Sequence, residues 1–175
     1  MKPVIIFSTL LYLILTSTAL YAQDPDKRIT ELKIVLPTVT APVASYVNSV
    51  QTGNLLYLSG KGPKRADGTY IKGKLGGDLT IEQGQEAARL TGMIILAELK
   101  QQLGSFKKVK RIVKVLGMVN ATPDFENHPK VINGFSDLMI EVFGEKGKHA
   151  RSAVGVGSLP FNMAVEIEVI VEVEK

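Results

Sequence analysis

Cysteine and tryptophan are absent from this chain of 175 residues. The missing thiols exclude a disulfide scaffold, a cysteine nucleophile and a cysteine-linked lipid anchor. Histidine is scarce as well, because His128 and His149 are the only two and do not have the spacing of a ligand cluster. We therefore expect no metal site. The net charge of +4 is small and says little about partners.

The motifs of several other chemistries are also missing. Ser59 lacks the glycine two residues earlier that a nucleophile elbow requires, and the glycine-rich segment 73–77 lacks the ending of a phosphate-binding loop. A basic cluster has no interleaved aromatic residues, so we interpret it as the solvated side of a strand and expect no nucleic-acid partner. Its members are Lys107, Lys108, Lys110, Arg111 and Lys114.

The N-terminal segment 1–22 has the layout of a signal peptide. Lys2 is followed by the apolar run Val4–Leu15, and the segment ends in small Ala22, after which we expect cleavage. A retained membrane anchor is the alternative, but the run is shorter than the ~20 residues that span a bilayer. The mature protein is therefore expected to be periplasmic or secreted, without membrane contact after cleavage.

The rest of the chain is expected to form a lead-in, residues 23–41, and one folded domain, residues 42–175. With 45% hydrophobic and 22% charged residues, the composition is that of a globular protein. In the lead-in, Ile29, Leu32 and either Ile34 or Val35 could line one side of a short helix.

Two helices are predicted in the domain. Thr80 and Gln83 form a capping box that starts a helix running to about Leu103, and its apolar middle should be covered by the sheet and by a neighbouring subunit. A second helix from about His128 to Phe143 should present one apolar stripe. The stripe consists of Val131, Phe135, Leu138, Met139 and Val142.

Three strands are predicted before the C-terminal region. Residues 43–51 and 54–59 should pair through a turn at Thr52 and Gly53. Residues 108–119 should form the third, with lysines 108, 110 and 114 outward and valines 109, 113, 115 and 119 inward.

The C-terminal stretch from His149 is predicted to be an antiparallel hairpin. Apolar and acidic residues alternate from Val165 to Glu174, which is typical of a strand with one buried face. In this hairpin Arg151 would lie opposite Glu166, or opposite Glu168 after a slip of two residues. Arg151, Ala153 and Gly155 would share a face with the glutamates, and Val154 and Val156 would join the core. The predicted fold is α+β, with two helices packed on one mostly antiparallel sheet.

An arginine and a glutamate on one face admit two interpretations. The guanidinium could grip a ligand carboxylate while the glutamate takes a proton from water. The pair could equally be a solvated cross-strand ion pair worth under ~1 kcal/mol. The pattern alone favours the ion pair.

Three stretches resemble the Rid family of reactive intermediate deaminases, also called YjgF-type or L-PSP endoribonuclease-like proteins. They are Tyr46-Val47 with Gly53–Gly60, Phe125–Phe143, and Ala150–Val154 followed by Leu159-Pro160 and Val165–Glu168. The resemblance covers about residues 42–174. It implies a chorismate-mutase-like fold, a homotrimer with clefts between subunits, and hydrolysis of 2-aminoacrylate or 2-iminopropanoate to a 2-keto acid and ammonia, without a cofactor.

The resemblance also assigns roles to residues. Arg151 would hold the substrate carboxylate and Glu166 would position or activate water, while other positions match the lining of the cleft. Those lining residues are Tyr46, Ser59, Gly60 and Asn133. The spacing from Asn133 to Arg151 is one residue longer than usual, and Ala153 stands where many members carry a cysteine.

The sequence thus leads to one main hypothesis, an exported homotrimeric imine and enamine deaminase acting on small carboxylates. The export signal departs from the family pattern, because the usual substrates arise in the cytosol. The alternative is a non-catalytic binder of small carboxylate metabolites that uses the same cleft. RNA cleavage ranks last, since no histidine pair or aromatic platform supports it.

Overall fold

A computed structural model describes residues 24–39 and 45–174. The predicted signal peptide and the start of the first predicted strand lie outside these residues. The described part contains three α-helices and five strands. They are α1 Pro25–Glu31, β1 Ser49–Thr52, β2 Leu55–Lys61, α2 Ile81–Leu103, β3 Val109–Asn120, α3 His128–Phe143, β4 Ala150–Val156 and β5 Val165–Val173.

The five strands form one sheet in the order β1-β2-β5-β3-β4. All neighbours are antiparallel except β3 and β4, which are parallel and are joined through α3. A parallel pair needs such a crossover connection, whereas β1 and β2 are joined by a tight turn at Gly53. The helices pack on one face of the sheet, and the predicted α+β class is confirmed.

Both main helices begin and end close to the predicted residues. The Thr80 hydroxyl accepts from the Gln83 amide, the Gln83 side chain accepts from the Thr80 amide, and Gly104 follows the end of α2. All five residues of the predicted α3 stripe are fully buried. The two helices also approach each other closely, because a Cβ atom added at Gly134 would lie 2.1 Å from the Gln85 carbonyl oxygen.

The alternation predicted for β5 is present, with its odd-numbered residues buried against the helices. In β3 the prediction for Val113 is wrong, because Ile112 is buried in its place and Val113 is only half-buried. Two irregularities in the pairing of β3 with β5 shift the register, one between Val109 and Arg111 and one between Ile112 and Lys114. A bulge of this kind changes which face a side chain occupies.

The lead-in is part of the folded domain. Asp26 of α1 accepts hydrogen bonds from Lys100 Nζ at 2.7 Å and from Ser105 Oγ at 2.6 Å. Ile29, Leu32 and Ile34 pack against the main core, as predicted, while Val35 is exposed. Within residues 24–39 and 45–174, no helix combines the length and apolar character needed to cross a bilayer.

The face of the sheet turned away from α2 and α3 carries exposed apolar side chains as well as the glutamates of β5. Val50 and Tyr57 are paired in β1 and β2 and are 57% and 41% exposed, and Val154 of β4 is 42% exposed. Half-buried Met118 lies between Val154 and Glu166 on this face. We call it the open face; exposed apolar surface of this kind marks interaction sites.

Candidate functional site

The predicted C-terminal hairpin does not form, because β3 lies between β4 and β5. Arg151 is in register with Val115, whereas Glu166 is in register with Met118. Val115 is fully buried under the helices and Met118 is on the open face, so Arg151 and Glu166 project from opposite faces. The prediction that Arg151, Ala153 and Gly155 share a face with Glu166 or Glu168 is therefore wrong. Val154 also is not in the core.

Arg151 reaches from the edge strand β4 to α3. Its Nη1 donates to Asn133 Oδ1 at 3.0 Å and to Ser136 Oγ at 2.9 Å, and its Nη2 donates to the Pro129 carbonyl at 3.4 Å. Asn133, a predicted site residue, thus lies beside the arginine despite the longer spacing. Among the described residues, nothing accepts a hydrogen bond from Arg151 Nε.

These contacts define how the arginine could bind a ligand. A guanidinium has five N–H donors, and both of those on Nη1 are directed at protein oxygens. The Nε–H and one Nη2–H lie on a single edge, which matches the two oxygens of a carboxylate. Arg151 is therefore held by the protein along one edge and able to bind a carboxylate along the other.

His149 and Ser136 continue the contacts behind Arg151. The His149 Nδ1 lies 2.6 Å from the Gly147 carbonyl oxygen, which can only accept, so Nδ1 carries the proton. The Nε2 then accepts from Ser136 Oγ at 3.1 Å. Burial lowers the pKa of His149, and the positive charge of Arg151 also lowers it against the opposing effect of the Gly147 bond. We call Arg151, Asn133, Ser136 and His149 the arginine half.

Sequence reasoning missed both Ser136 and His149 as site residues. Two signals could have found them. Asn133 and Ser136 are three residues apart on a helix and so share a face, and His149 and Arg151 lie on the same side of the chain in an extended segment.

Glu166 lies on the open face, directly above Gly60 of β2. A Cβ atom added at Gly60 would be 2.1 Å from Glu166 Oε1, so only glycine leaves room for the carboxylate. The register of β2 against β5 shifts between Leu58 and Lys61, in the stretch that contains Gly60. Burial raises the pKa of the Glu166 carboxyl, and the negative charge of exposed Glu168 raises it further. We call Glu166 and Gly60 the glutamate half.

The other two predicted residues contact neither half through hydrogen bonds. Ser59 Oγ donates to the Asn48 carbonyl at 3.2 Å. Tyr46 precedes β1 and is 55% exposed. The structure therefore brings Asn133 to Arg151 and Gly60 to Glu166, and it joins Tyr46 and Ser59 to neither pair.

The basic cluster is largely paired with polar partners. Lys110 and Arg111 both bind Glu172 at 2.7 Å, and Lys114 Nζ donates to Ser152 Oγ at 2.8 Å. These contacts agree with a solvated strand surface. In the described ranges, no three histidine, aspartate or glutamate side chains come close enough together to hold a metal ion.

A five-stranded sheet with two helices on one face, an arginine on its edge strand and a glutamate on its open face defines a chorismate-mutase-like protein of the YjgF type. The family model described as "YjgF/chorismate mutase-like, putative endoribonuclease" matches residues 26–173. The chain belongs to this family, which includes the Rid proteins.

Three relatives show the extent of the similarity. Protein TCP17 of Trypanosoma cruzi is 44% identical over 81% of this chain and 89% of its own length. A 2-iminobutanoate/2-iminopropanoate deaminase of Dermatophagoides farinae is 32% identical over 81% and 95%. A solved structure of a protein of unknown function from Agrobacterium tumefaciens is 42% identical with a TM-score of 0.78, covering 86% of this chain and 94% of that one.

Proposed function

We propose that this protein hydrolyses small imine and enamine acids of the 2-iminopropanoate and 2-aminoacrylate type to a 2-keto acid and ammonia. The observation that carries the proposal is Arg151, whose Nη1 is held by Asn133 and Ser136 while Nε has no acceptor among the described residues. The name of the Dermatophagoides farinae relative supports the same substrate class.

The proposed reaction needs one group that binds the substrate carboxylate and one group that accepts a proton. The Nε and Nη2 edge of Arg151 binds the substrate carboxylate, which places the imine carbon at a fixed distance from the guanidinium. Water adds to that carbon while Glu166 accepts a proton from it. That proton passes to the nitrogen, which gives a carbinolamine. The carbinolamine hydroxyl then transfers its own proton to the amino group by way of Glu166 as the carbon–nitrogen bond breaks, and the keto acid and ammonia are released. An enamine acid first gains a proton on its methylene carbon and loses one from its nitrogen, which makes it the imine. No step requires a cofactor.

The site is proposed to form between subunits of a homotrimer. Arg151 and Glu166 lie on opposite faces of the sheet in one chain, so one chain does not direct both at the same ligand. The open face carries the exposed side chains of Val50, Tyr57 and Val154 as well as Glu166, and burying it would bring the glutamate half of one subunit to a neighbour. The arginine half of that neighbour would complete the site.

Mixing two inactive variants tests this arrangement. Arg151→Ala and Glu166→Gln subunits are unfolded together, refolded and assayed for ammonia released from an iminopropanoate generated in situ. If each site takes its arginine and its glutamate from different subunits, an equal mixture regains about a quarter of the wild-type activity, because one interface in four combines both intact halves.

Each variant refolded alone serves as the control and should stay inactive. A mixture that also stays inactive, although mass spectrometry shows mixed trimers, would contradict the intersubunit site. An inactive wild type would contradict the deaminase itself.

The alternative, a non-catalytic binder of small carboxylate metabolites, is favoured by one observation. The arginine half is complete within one chain and needs no contact with Glu166 to hold a carboxylate. Calorimetric titration with keto acids and aromatic carboxylates separates the two functions. Binding that is lost in Arg151→Ala, together with no turnover of any imine acid, would favour the binder.

We also propose that the protein is exported, with residues 1–22 removed as a signal peptide and the mature form periplasmic or secreted. The apolar run Val4–Leu15 followed by Ala22 supports this. Mass spectrometry of the mature chain, purified from the exported fraction of expressing cells, should give Gln23 as the first residue. A chain that retains Met1 and stays in the cytosol would contradict export.

A further inference from the structure

The hydrogen bonds behind Arg151 run in one direction. Arg151 Nη1 donates to Ser136 Oγ at 2.9 Å, the Ser136 hydroxyl donates to His149 Nε2 at 3.1 Å, and His149 Nδ1 donates to the Gly147 carbonyl at 2.6 Å. The last bond fixes the tautomer of the imidazole, because a carbonyl cannot donate. That tautomer in turn makes Nε2 an acceptor, and the Ser136 hydrogen points to it.

The direction of the Ser136 hydroxyl matters for Arg151. A hydroxyl has one hydrogen, and when that hydrogen points to His149 the oxygen lone pairs are left to face the guanidinium. Without an acceptor at position 149, the hydroxyl could rotate and offer its hydrogen to the cation. The two hydrogen bonds that Nη1 donates, to Ser136 and to Asn133, fix the plane of the guanidinium before a ligand arrives, which reduces the entropy lost on binding.

We propose that Ser136 and His149 are positioning residues for the carboxylate-binding edge of Arg151, and that they act only while His149 is neutral. This inference rests on the proposed function for its consequence, since the bound group would be a substrate carboxylate. It assigns roles to two residues that neither the sequence motifs nor the names of the relatives point to.

The surroundings of His149 favour its neutral form. Arg111 of β3 and Lys148 of the preceding turn line the same surface pocket, but they are paired with Glu172 and Glu145. From α3, the uncharged side chains of Phe135 and Ser136 contact the ring. Burial and the positive charge of Arg151 lower the pKa of His149 and so oppose its protonation. Protonated His149 would donate to Ser136 Oγ, compete with Arg151 for its lone pairs and bring a second cation to the same hydroxyl.

Side-chain NMR of arginine tests the positioning without any ligand. In protein labelled with nitrogen-15, the Nη1 signals of Arg151, assigned by their loss in Arg151→Lys, should show slow rotation about the Cζ–Nη1 bond near neutral pH. Ser136→Ala and His149→Phe should speed this rotation. Ser152→Ala is the matched control, because Ser152 is the next residue on β4 but accepts from Lys114. Rotation that is unchanged in Ser136→Ala would overturn the proposal.

Acid pH supplies a second readout. As the pH falls below about 6.5, the ordinary value for an imidazole, rotation of the Arg151 Nη1 group should become faster in the wild type once His149 gains its proton. In His149→Gln the amide oxygen can accept from Ser136 at any pH, so the rotation should stay slow over the whole range. Identical pH profiles in the two proteins would overturn the role of His149.

Ligand affinity separates this inference from the proposed function. Ser136→Ala should weaken binding of a 2-keto acid about tenfold, the size of one hydrogen bond to a charged group, with little change in melting temperature. In an Arg151→Lys background, Ser136→Ala should not weaken keto-acid binding further, because lysine has no planar guanidinium for Ser136 to orient. Keto-acid binding that survives Arg151→Ala would defeat the proposed function. Binding lost there but unchanged in Ser136→Ala would defeat only the positioning role.

Discussion

The arginine half and the glutamate half of the candidate site differ in how much support one chain gives them. Arg151 has protein partners on Nη1 and Nη2, and the residues behind it are themselves hydrogen-bonded. Glu166 lies against a bare glycine on a face that no helix of the described residues covers, and its pKa is raised by burial and by Glu168. One chain thus holds Arg151 on several protein acceptors, while the surroundings of Glu166 depend on what covers the open face. Four predictions, made on three substitutions, can break or sharpen this contrast.

The largest effect is expected from Arg151→Ala. Removing the guanidinium deletes the bidentate contact with the carboxylate, and kcat/KM for an imine acid should fall about 1,000-fold, mostly through loss of binding. Steady-state kinetics measure this. Arg111→Ala is the matched control, because Arg111 pairs with Glu172 instead. Equal losses in the two variants would show that the effect is general and not one of carboxylate binding.

Glu166→Gln should lower kcat about 100-fold while leaving keto-acid binding nearly unchanged, because the amide cannot accept a proton. Kinetics combined with calorimetry separate the two quantities. Glu168→Gln removes the neighbouring exposed carboxylate and should cost little. Parallel loss of binding and turnover in Glu166→Gln would contradict the role of Glu166 as a base. A larger loss of kcat in Glu168→Gln would assign that role to Glu168.

Gly60→Ala should displace the Glu166 carboxylate, because the new methyl group would overlap Oε1. A shift of part of an ångström in a catalytic base is expected to cost about tenfold in kcat. Gly157→Ala provides the control, since no heavy atom lies within 4 Å of a Cβ atom there. An alanine at position 60 that leaves kcat intact would show that the base is not held against β2.

The smallest effect is on stability and depends on pH. The folded-state pKa of Glu166 is raised above its ordinary value of 4.5, so its contribution to the free energy of unfolding is fully present below that value. The contribution is lost as pH rises through the folded-state pKa. Glu166→Gln should therefore gain melting temperature relative to the wild type on going from about pH 4 to pH 8. A difference that does not change with pH would contradict the raised pKa.

Local patterns predicted the helices and the pairing of β1 with β2 well, and the pairing of the C-terminal strands poorly. The capping box at Thr80 and the five-residue stripe of α3 are determined by neighbours in sequence, and both are found. The pairing of β4 depends on β3, whose paired residues lie 36 positions earlier in the chain, and no pattern within His149–Lys175 contains that information. Two adjacent strands joined by a turn form a hairpin by default, and here β3 takes the place between them.

The structure brings together four of the predicted site residues in two pairs, but not in the predicted geometry. Arg151, Asn133, Glu166 and Gly60 were named from motifs, and the structure pairs Arg151 with Asn133 and Glu166 with Gly60. The prediction that Arg151 shares a face with Glu166 or Glu168 was wrong because it was derived from the predicted hairpin. The prediction that Val113 faces the core was wrong for a related reason. Bulges in β3 interrupt the alternation of buried and exposed residues on which strand predictions rest.

The close approach of α3 to α2 at Gly134 affects ligand recognition, although Gly134 itself lies outside the candidate site. The residue beside Gly134 is Asn133, and Ser136 follows within the same turn of α3. A side chain at position 134 would meet the Gln85 carbonyl and push α3 away from α2. The three acceptors of Arg151 all lie on α3 and would move with the helix, so the orientation of the guanidinium depends on the contact between α3 and α2. Variation at this glycine would retune affinity for small anions while every residue of the site stayed the same.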